Sequence, residues 1–166
     1  MPIKRLTVAA FFMALVIILS SSPLSIPVPG GHFYFNGIII FLVALIFPPA
    51  QAVIIAGIGS FLGDFFFYPA PMFVTLATHS LQVLVISALV VNKNAGKIKV
   101  ITALLLGGIV DIIGYYLGRS YVYANVSYAI LKLPFDIVAV ILGAAITYFI
   151  YYHTSFLKQF NKSIRK

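Results

Sequence analysis

Residues 100–118 read VITALLLGGIVDIIGYYLG, an apolar stretch whose one charged residue is Asp111. A helix of this length reaches about 28 Å, close to the roughly 30 Å of a bilayer's hydrocarbon core. Lys97 and Lys99 lie just before the stretch, and Arg119 follows it. The pattern predicts a transmembrane helix that carries an acidic residue inside the membrane.

The composition of the whole chain agrees with a lipid environment. Hydrophobic residues make up 62% and charged residues 8% of the chain, whereas soluble domains carry about 25% charged residues. There is no cysteine, which excludes disulfides, thiolate metal sites and cysteine nucleophiles. The 166 residues leave room for about six spans. We therefore predict an all-α, polytopic membrane protein with a single transmembrane domain, residues 1–166.

Apolar runs predict six transmembrane helices, separated by prolines and short loops. The first run follows Lys4 and Arg5, as the apolar region of a signal peptide would. Because five further spans follow, we interpret it as a transmembrane helix. The predicted spans are residues 6–21, 35–47, 52–68, 72–91, 100–118 and 133–152. Prolines mark the junctions at Pro23, Pro27, Pro29, Pro48, Pro49, Pro69, Pro71 and Pro134.

The basic residues are distributed unequally between the two sides of this topology. With six spans both termini share a side, and nine of the eleven Lys and Arg residues fall on it. The positive-inside rule then predicts that both termini are cytoplasmic. We therefore interpret the net charge of +8 as a determinant of membrane orientation and of attraction to lipid headgroups, rather than as a sign of nucleic-acid binding. The nine are Lys4, Arg5, Lys93, Lys97, Lys99, Lys158, Lys162, Arg165 and Lys166, with Arg119 and Lys132 opposite.

Polar residues inside the predicted spans fall in their outer halves. Thr75, His79 and Gln82 follow i, i+4, i+7 spacing and so share one helix face. Asp111 and Tyr115 lie one turn apart on the next span. Such faces point into the protein, because polar groups that face lipid are costly. All three acids of the chain lie within spans: Asp64, Asp111 and Asp136.

The first outer loop, residues 21–34, combines a glycine pair with aromatic and hydrogen-bonding side chains. We expect a flexible lid over a pocket that takes a small, neutral, ring-bearing molecule. Phe33, Tyr34, Tyr115 and Tyr116 could stack on the ring, and Asp64 is a further candidate that could instead serve helix packing. The predicted substrate-binding residues are His32, Phe33, Tyr34, Asn36, Thr75, His79, Gln82, Asp111, Tyr115 and Asp136.

Each polar residue also has a purely structural interpretation. Asp136 could pair with Lys132 one turn earlier, and Asp64 could pair with Arg119. His79 could be a packed core histidine, and a two-histidine metal site would require His32 to meet it. Convergence of polar residues from four spans on one side favours a binding pocket. The sequence shows no zinc-protease, nucleophile-elbow or phosphate-loop motif, so we predict neither an enzyme nor a metal or cofactor site.

Small residues recur four positions apart on three spans. Gly59 and Gly63, and likewise Gly114 and Gly118, are expected to let helices of the bundle pack closely. Ala10 and Ala14 lie in the cytoplasmic half of the first helix, opposite in depth to the polar pocket. That position indicates a surface that receives a partner helix.

Five segments together resemble the substrate-binding S component of energy-coupling factor (ECF) vitamin transporters. They are AFFMA at 10–14, IPVPGGHFYFNG at 26–37, GIGSFLGD at 57–64, GYY at 114–116 and LPF at 133–135. Their order and spacing carry the resemblance, which covers most of the chain.

The resemblance implies a six-helix bundle in a prokaryotic plasma membrane that binds a vitamin or precursor near the outer face. It also implies docking through Ala10 and Ala14 to a transmembrane coupling subunit, with two cytoplasmic ATPases powering the cycle. Hydroxymethylpyrimidine-type or pyridoxine-type members are the most similar, followed by riboflavin-type members. The alternatives are a stand-alone ion-coupled carrier that uses the three Asp residues, and a small intramembrane enzyme.

Overall fold

The computed structural model describes residues 3–21, 24–90 and 95–165, with the backbone alone at Asn161 and at 163–165. Pro23, Lys93 and Lys166, which the topology prediction used, lie outside the described residues. Seven helices and one short hairpin are present in the described part of the chain. They are α1 Ile3–Leu19, β1 Ile26–Val28, β2 Gly31–Phe33, α2 Asn36–Ile46, α3 Pro49–Phe67, α4 Met72–Val90, α5 Lys97–Tyr123, α6 Val126–His153 and α7 Phe156–Arg165.

Four of the described helices, α3 to α6, are long and apolar enough to cross a membrane. The 17 residues of α1 reach about 26 Å, and the 11 residues of α2 reach about 17 Å. The prediction of an all-α membrane bundle is confirmed, whereas only four of the six predicted spans meet the length of a full crossing. Most side chains of α2, Ile40 to Leu45, are buried, so this helix lies inside the bundle rather than in contact with lipid.

The first six helices run alternately between the two ends of the bundle. At one end, Asn36 at the start of α2 donates from Nδ2 to Ser20 Oγ just after α1, over 2.9 Å. At the other end, Phe47 after α2 packs edge-to-face on Phe12 of α1, with ring centroids 5.7 Å apart. Lys97 at the start of α5 lies over the ring of Tyr152 at the end of α6. Ile3 and His153 are therefore at the same end.

The core fills the half of the bundle that contains Phe12 and Phe47. Buried aliphatic and aromatic side chains of α1 to α5 meet there, and the apolar face of α7 covers them through Phe156 and Phe160. We call this the basic end, because most of the described basic side chains lie there. They are Lys4, Arg5, Lys97, Lys99, Lys158 and Lys162.

Glycines allow the close helix contacts that the small-residue spacing predicts. A Cβ on Gly59 would lie 3.2 Å from Val16 of α1, and one on Gly63 would lie 2.5 Å from Cβ of Ser20. Gly114 and Gly118 of α5 face Thr78 and Val74 of α4 in the same way. The prediction that these glycine pairs serve internal packing agrees with these contacts.

Two parts of the predicted topology were wrong. Helix α6 begins at Val126 rather than near Pro134, because the Asn125 side chain caps it by accepting from the backbone N–H of Tyr128 over 2.9 Å. Pro134 thus lies inside the helix, and Asp136 lies well within it rather than at its start. The first loop is also more ordered than predicted, since β1 and β2 pair antiparallel with Pro27 opposite His32.

Candidate functional site

The hairpin lies over the end of the bundle opposite the basic end. Gly30 and Gly31 have φ of 79° and 133°, values that side-chain-bearing residues rarely adopt; Gly30 lies in the turn with Pro29, and Gly31 begins β2. A Cβ on Gly30 would lie 3.0 Å from Cβ of Lys132 on α6. The glycine pair therefore lets the turn approach α6 closely enough to cover the space between the helices.

Beneath the hairpin is a cavity of about 290 Å³, near the lower end of the range of roughly 300–1,000 Å³ for ligand pockets. Its walls come from α2 to α6 and the hairpin. All ten residues that the sequence predicted for substrate binding line this cavity. Asp64, the further candidate, lines it too, whereas Tyr116 is absent from its walls.

The polar face predicted on α4 forms a hydrogen-bonded wall with α5. His79 and Gln82 are buried, and His79 Nδ1 donates to Gln82 Oε1 over 2.8 Å. The Tyr115 hydroxyl lies 2.9 Å from Thr75 Oγ1 and 3.1 Å from His79 Nε2. Both ring nitrogens of His79 thus have a polar neighbour, Gln82 on one side and Tyr115 on the other, which fixes the orientation of the ring in the cavity wall.

A second wall carries the buried charges. Asp136 of α6 binds both Arg119 of α5, through two guanidinium nitrogens, and Lys132, whose Nζ lies 2.8 Å from Oδ1. The ion pair considered for Asp136 and Lys132 is therefore present. Arg119 pairs with Asp136 rather than with Asp64 as considered from the sequence. Two cations share one carboxylate, so this cluster has excess positive charge.

Hydrogen bonds also orient the residues around the hairpin. His32 Nδ1 lies 2.8 Å from Ser25 Oγ, and the rings of His32 and Tyr34 have centroids 6.0 Å apart. Asn36 is held by Ser20. His32 and His79 each have a non-metal partner, and the described residues contain no group of three His, Asp or Glu side chains suited to a metal ion.

Sequence reasoning missed several residues of the cavity. Arg119 and Lys132 were placed outside the predicted spans, on the side opposite the other basic residues, but both are buried in helices. Arg119 begins a π-helical turn, Arg119–Tyr123, at the end of α5, a feature that is frequent at functional sites. Two features of the sequence could have predicted the earlier start of α6. They are the one-turn spacing of Lys132 and Asp136, and Asn125 before them, a residue type that caps helices. Further unpredicted wall residues are Ser20, Phe41, Tyr68, Tyr123 and Tyr128.

Comparison with known proteins places this bundle in a family. The family model described as "ECF-type riboflavin transporter, S component" matches residues 1–155. The chain belongs to this S-component family. A similar curated protein comes from Pyrococcus woesei and is described as "Uncharacterized protein in gap 3'region". It is 32% identical over 124 residues, which are 73% of this chain and 82% of the relative.

Membership makes this S component a transport protein of the cell membrane with several membrane-crossing helices. The resemblance deduced from the five segments is confirmed at the level of the ECF S component. The family is one of transporter components rather than of enzymes. Its description names riboflavin, which differs from the hydroxymethylpyrimidine or pyridoxine type favoured by the sequence.

Proposed function

We propose that this S component captures a small water-soluble vitamin or vitamin precursor in the cavity beneath the hairpin and delivers it to an ATP-driven ECF importer. The observation that carries the proposal is the convergence of ten predicted polar and aromatic residues on one cavity. A carrier of nutrients needs such a site because a polar ligand loses its water on entry. Its donors and acceptors must then be matched by the protein.

The cavity size supports a single-ring substrate. Phe33, Tyr34 and Tyr115 supply aromatic surface to the walls, suited to stacking on a heteroaromatic ring. A volume of about 290 Å³ favours hydroxymethylpyrimidine or pyridoxine over the three-ring riboflavin after which the family is named. Riboflavin remains the second candidate, and it would require the hairpin to move outward.

The fold supports the proposed orientation in the membrane. Six helices alternate in direction, so Ile3 and His153 lie at the basic end, and the positive-inside rule assigns that end to the cytoplasm. The shorter helix α2 would complete the six crossings together with the residues that flank it. The cavity then opens toward the outside, where the substrate is found.

Docking is proposed through the outer surface of α1. Ala10 and Ala14 are exposed and lie around the middle of α1, with Ala14 past its midpoint rather than in the cytoplasmic half as predicted. Two small side chains one turn apart present a flat strip on which a helix of the coupling subunit can lie closely. Through that subunit two cytoplasmic ATPases would supply the energy for release.

The rival function is an ion-coupled carrier that uses the three Asp residues as a relay. Such a relay needs polar groups that continue toward the other side of the membrane. Asp64, Asp111 and Asp136 all line the same cavity, and the half of the bundle beyond it is filled by the apolar core. The arrangement therefore favours capture by this subunit and translocation by a partner.

Native mass spectrometry of the detergent-purified protein, followed by denaturation, tests the proposal. It would identify any small molecule retained during purification, and calorimetric titration would then give its affinity and stoichiometry. We expect one vitamin-like heteroaromatic molecule per chain. A protein that is empty and that binds no vitamin from a panel, while transporting ions alone in liposomes, would favour the carrier instead.

A further inference from the structure

Acidic and basic side chains are segregated to opposite ends of the bundle. The chain has three acidic side chains, Asp64, Asp111 and Asp136, and all three line the cavity beneath the hairpin. The basic end therefore has no side-chain carboxylate with which its lysines could pair. Any fixed counter-charge for these lysines comes from outside the chain.

Helix α7 carries part of this charge on one face. Phe156 and Phe160 lie one turn apart, and each packs on Phe12 of α1 with ring centroids 6.3 Å apart. Lys158 and Lys162 also lie one turn apart, on the opposite side of the helix, and both are exposed. We call these two lysines the basic face of α7. The apolar face is buried on the bundle, and the basic face points away from it.

The connection to α6 sets the depth of α7 in the membrane. Only Thr154 and Ser155 separate α7 from α6, a helix long and apolar enough to cross the membrane. The end of α6 carries Tyr148, Tyr151 and Tyr152, and tyrosine is enriched at membrane–water interfaces. The basic face of α7 follows directly and therefore lies at the level of the lipid headgroups.

An open depression lies where α7 follows α6. It is lined by Tyr151, Tyr152, Thr154, Ser155, Leu157 and Lys158. The ammonium group of Lys158 and the exposed hydroxyl of Ser155 are donors that suit the oxygens of a phosphate group. The tyrosine rings and Leu157 offer apolar surface to the carbon atoms beside that phosphate.

Helix α7 also closes the core beneath the short helix α2. Phe160 is only 7% exposed, and its ring packs edge-to-face on Phe47, just after α2, with centroids 5.4 Å apart. A group bound to the outer side of α7 therefore stabilises the contact of Phe160 with the core.

We propose that the basic face of α7 and the adjoining depression bind the phosphate headgroup of an anionic membrane lipid, and that this lipid holds α7 against the core. The proposal rests on the orientation with the basic end in the cytoplasm, where anionic lipids attract basic segments beside membrane helices. The lipid site is at the opposite end of the bundle from the substrate cavity. It therefore does not depend on which molecule binds in the cavity.

Native mass spectrometry of the full-length protein in detergent tests the proposal by titration with phosphatidylglycerol and with phosphatidylcholine of the same acyl chains. Each lysine near an anionic headgroup contributes about fivefold in affinity, so we expect phosphatidylglycerol to bind about 25-fold more tightly. The double variant Lys158→Gln, Lys162→Gln should lose this preference, whereas Lys158→Arg, Lys162→Arg should keep it. The matched control is Lys4→Gln, Lys99→Gln, which removes two exposed charges at the starts of α1 and α5 and should keep most of the preference.

Thermal unfolding in lipid nanodiscs gives a second readout. We expect the parent protein to unfold at a higher temperature in phosphatidylglycerol than in phosphatidylcholine, because the anionic lipid holds α7 on Phe12 and Phe47. The variant Lys158→Gln, Lys162→Gln should lack this difference. Since both lysines are exposed, its unfolding temperature in phosphatidylcholine should equal that of the parent, which shows that the variant folds.

The outcomes distinguish the lipid from other sources of negative charge. Equal affinity of the parent for the two lipids would overturn the proposal, as would equal losses in the two double-glutamine variants, which would indicate diffuse surface charge. Displacement of phosphatidylglycerol by an equal concentration of glycerol 3-phosphate would assign the site to a soluble phosphate. If Lys158→Gln, Lys162→Gln binds phosphatidylglycerol like the parent but no longer co-purifies with the coupling subunit, the basic face receives an acidic protein surface and the proposal is wrong.

Discussion

The hydroxyl of Tyr115 on α5 donates to Oγ1 of Thr75 on α4 over 2.9 Å, so a single phenol links these two helices at the level of the cavity. The same oxygen lies 3.1 Å from His79 Nε2. This side chain orders the polar wall before any ligand arrives.

Removal of that hydroxyl should loosen the wall. We expect Tyr115→Phe to destabilise the ligand-free protein by about 0.5–1.5 kcal/mol, the usual worth of a hydrogen bond, and to weaken ligand binding as well. Tyr116→Phe is the matched control, because Tyr116 is next in sequence but does not line the cavity. Thermal unfolding in detergent measures the first effect and titration the second. Equal behaviour of the two variants would contradict the role given to Tyr115.

The shared carboxylate of Asp136 should matter more to stability than either of its cations. Asp136→Asn leaves Arg119 and Lys132 buried without a counter-charge, and loss of one partner of a buried pair costs about 3–5 kcal/mol. Lys132→Met keeps the Arg119–Asp136 pair and should cost less. Unfolding temperatures of the two variants without ligand show which of them is less stable. If Lys132→Met unfolds at the lower temperature, Asp136 does not hold the cluster together.

The contact of α1 with α3 depends on Gly63. A methyl group there would meet Cβ of Ser20 and lie 3.3 Å from the Ile17 carbonyl oxygen, so we expect Gly63→Ala to destabilise the bundle by about 1–3 kcal/mol. Gly37→Ala on α2 is the control, since no atom lies within 4 Å of its Cβ position. Because alanine favours helix over glycine, this variant should be at least as stable as the parent. A Gly63→Ala protein with unchanged unfolding temperature would argue against a tight crossing.

The hairpin should control how long the ligand stays bound. Gly30→Val places a branched side chain at positive φ, against Lys132, and should lift the turn from α6. We expect faster ligand dissociation with the helices unaffected, measured by stopped-flow displacement. Gly96→Ala, where nothing lies within 4 Å, serves as the control. Unchanged dissociation would mean that the hairpin does not cover the ligand.

The strip on α1 should act in assembly alone. Ala10→Trp or Ala14→Trp is expected to leave ligand affinity unchanged and to abolish co-purification with the coupling subunit, because an indole ring cannot fit where two helices cross closely. Leu105→Trp, at a residue of α5 that is 62% exposed, places the same ring elsewhere on the surface and should keep assembly. Normal uptake by a transporter whose S component carries Ala10→Trp or Ala14→Trp would contradict docking at this strip.

The sequence predicted the fold class and the residues that line the cavity more accurately than it predicted where the helices and loops begin and end. Periodicity identified the face of Thr75, His79 and Gln82, since spacing along one helix is a local property. It placed Arg119 and Lys132 outside the spans, because their burial depends on helix packing around Asp136, which both of them bind. It also failed for the first loop, because the pairing of Ile26 with Phe33 depends on the turn at Pro29 and Gly30.

The sequence by itself determined that the chain lies in lipid and that its acids lie within helices, because composition and apolar run length decide transfer to a bilayer. It also determined the common face of the α4 residues. Only the tertiary structure decided which charges meet and how far the hairpin covers the cavity. These relationships join residues distant in sequence, and they depend on helix packing in which the glycines of α3 and α5 allow neighbouring helices to approach closely.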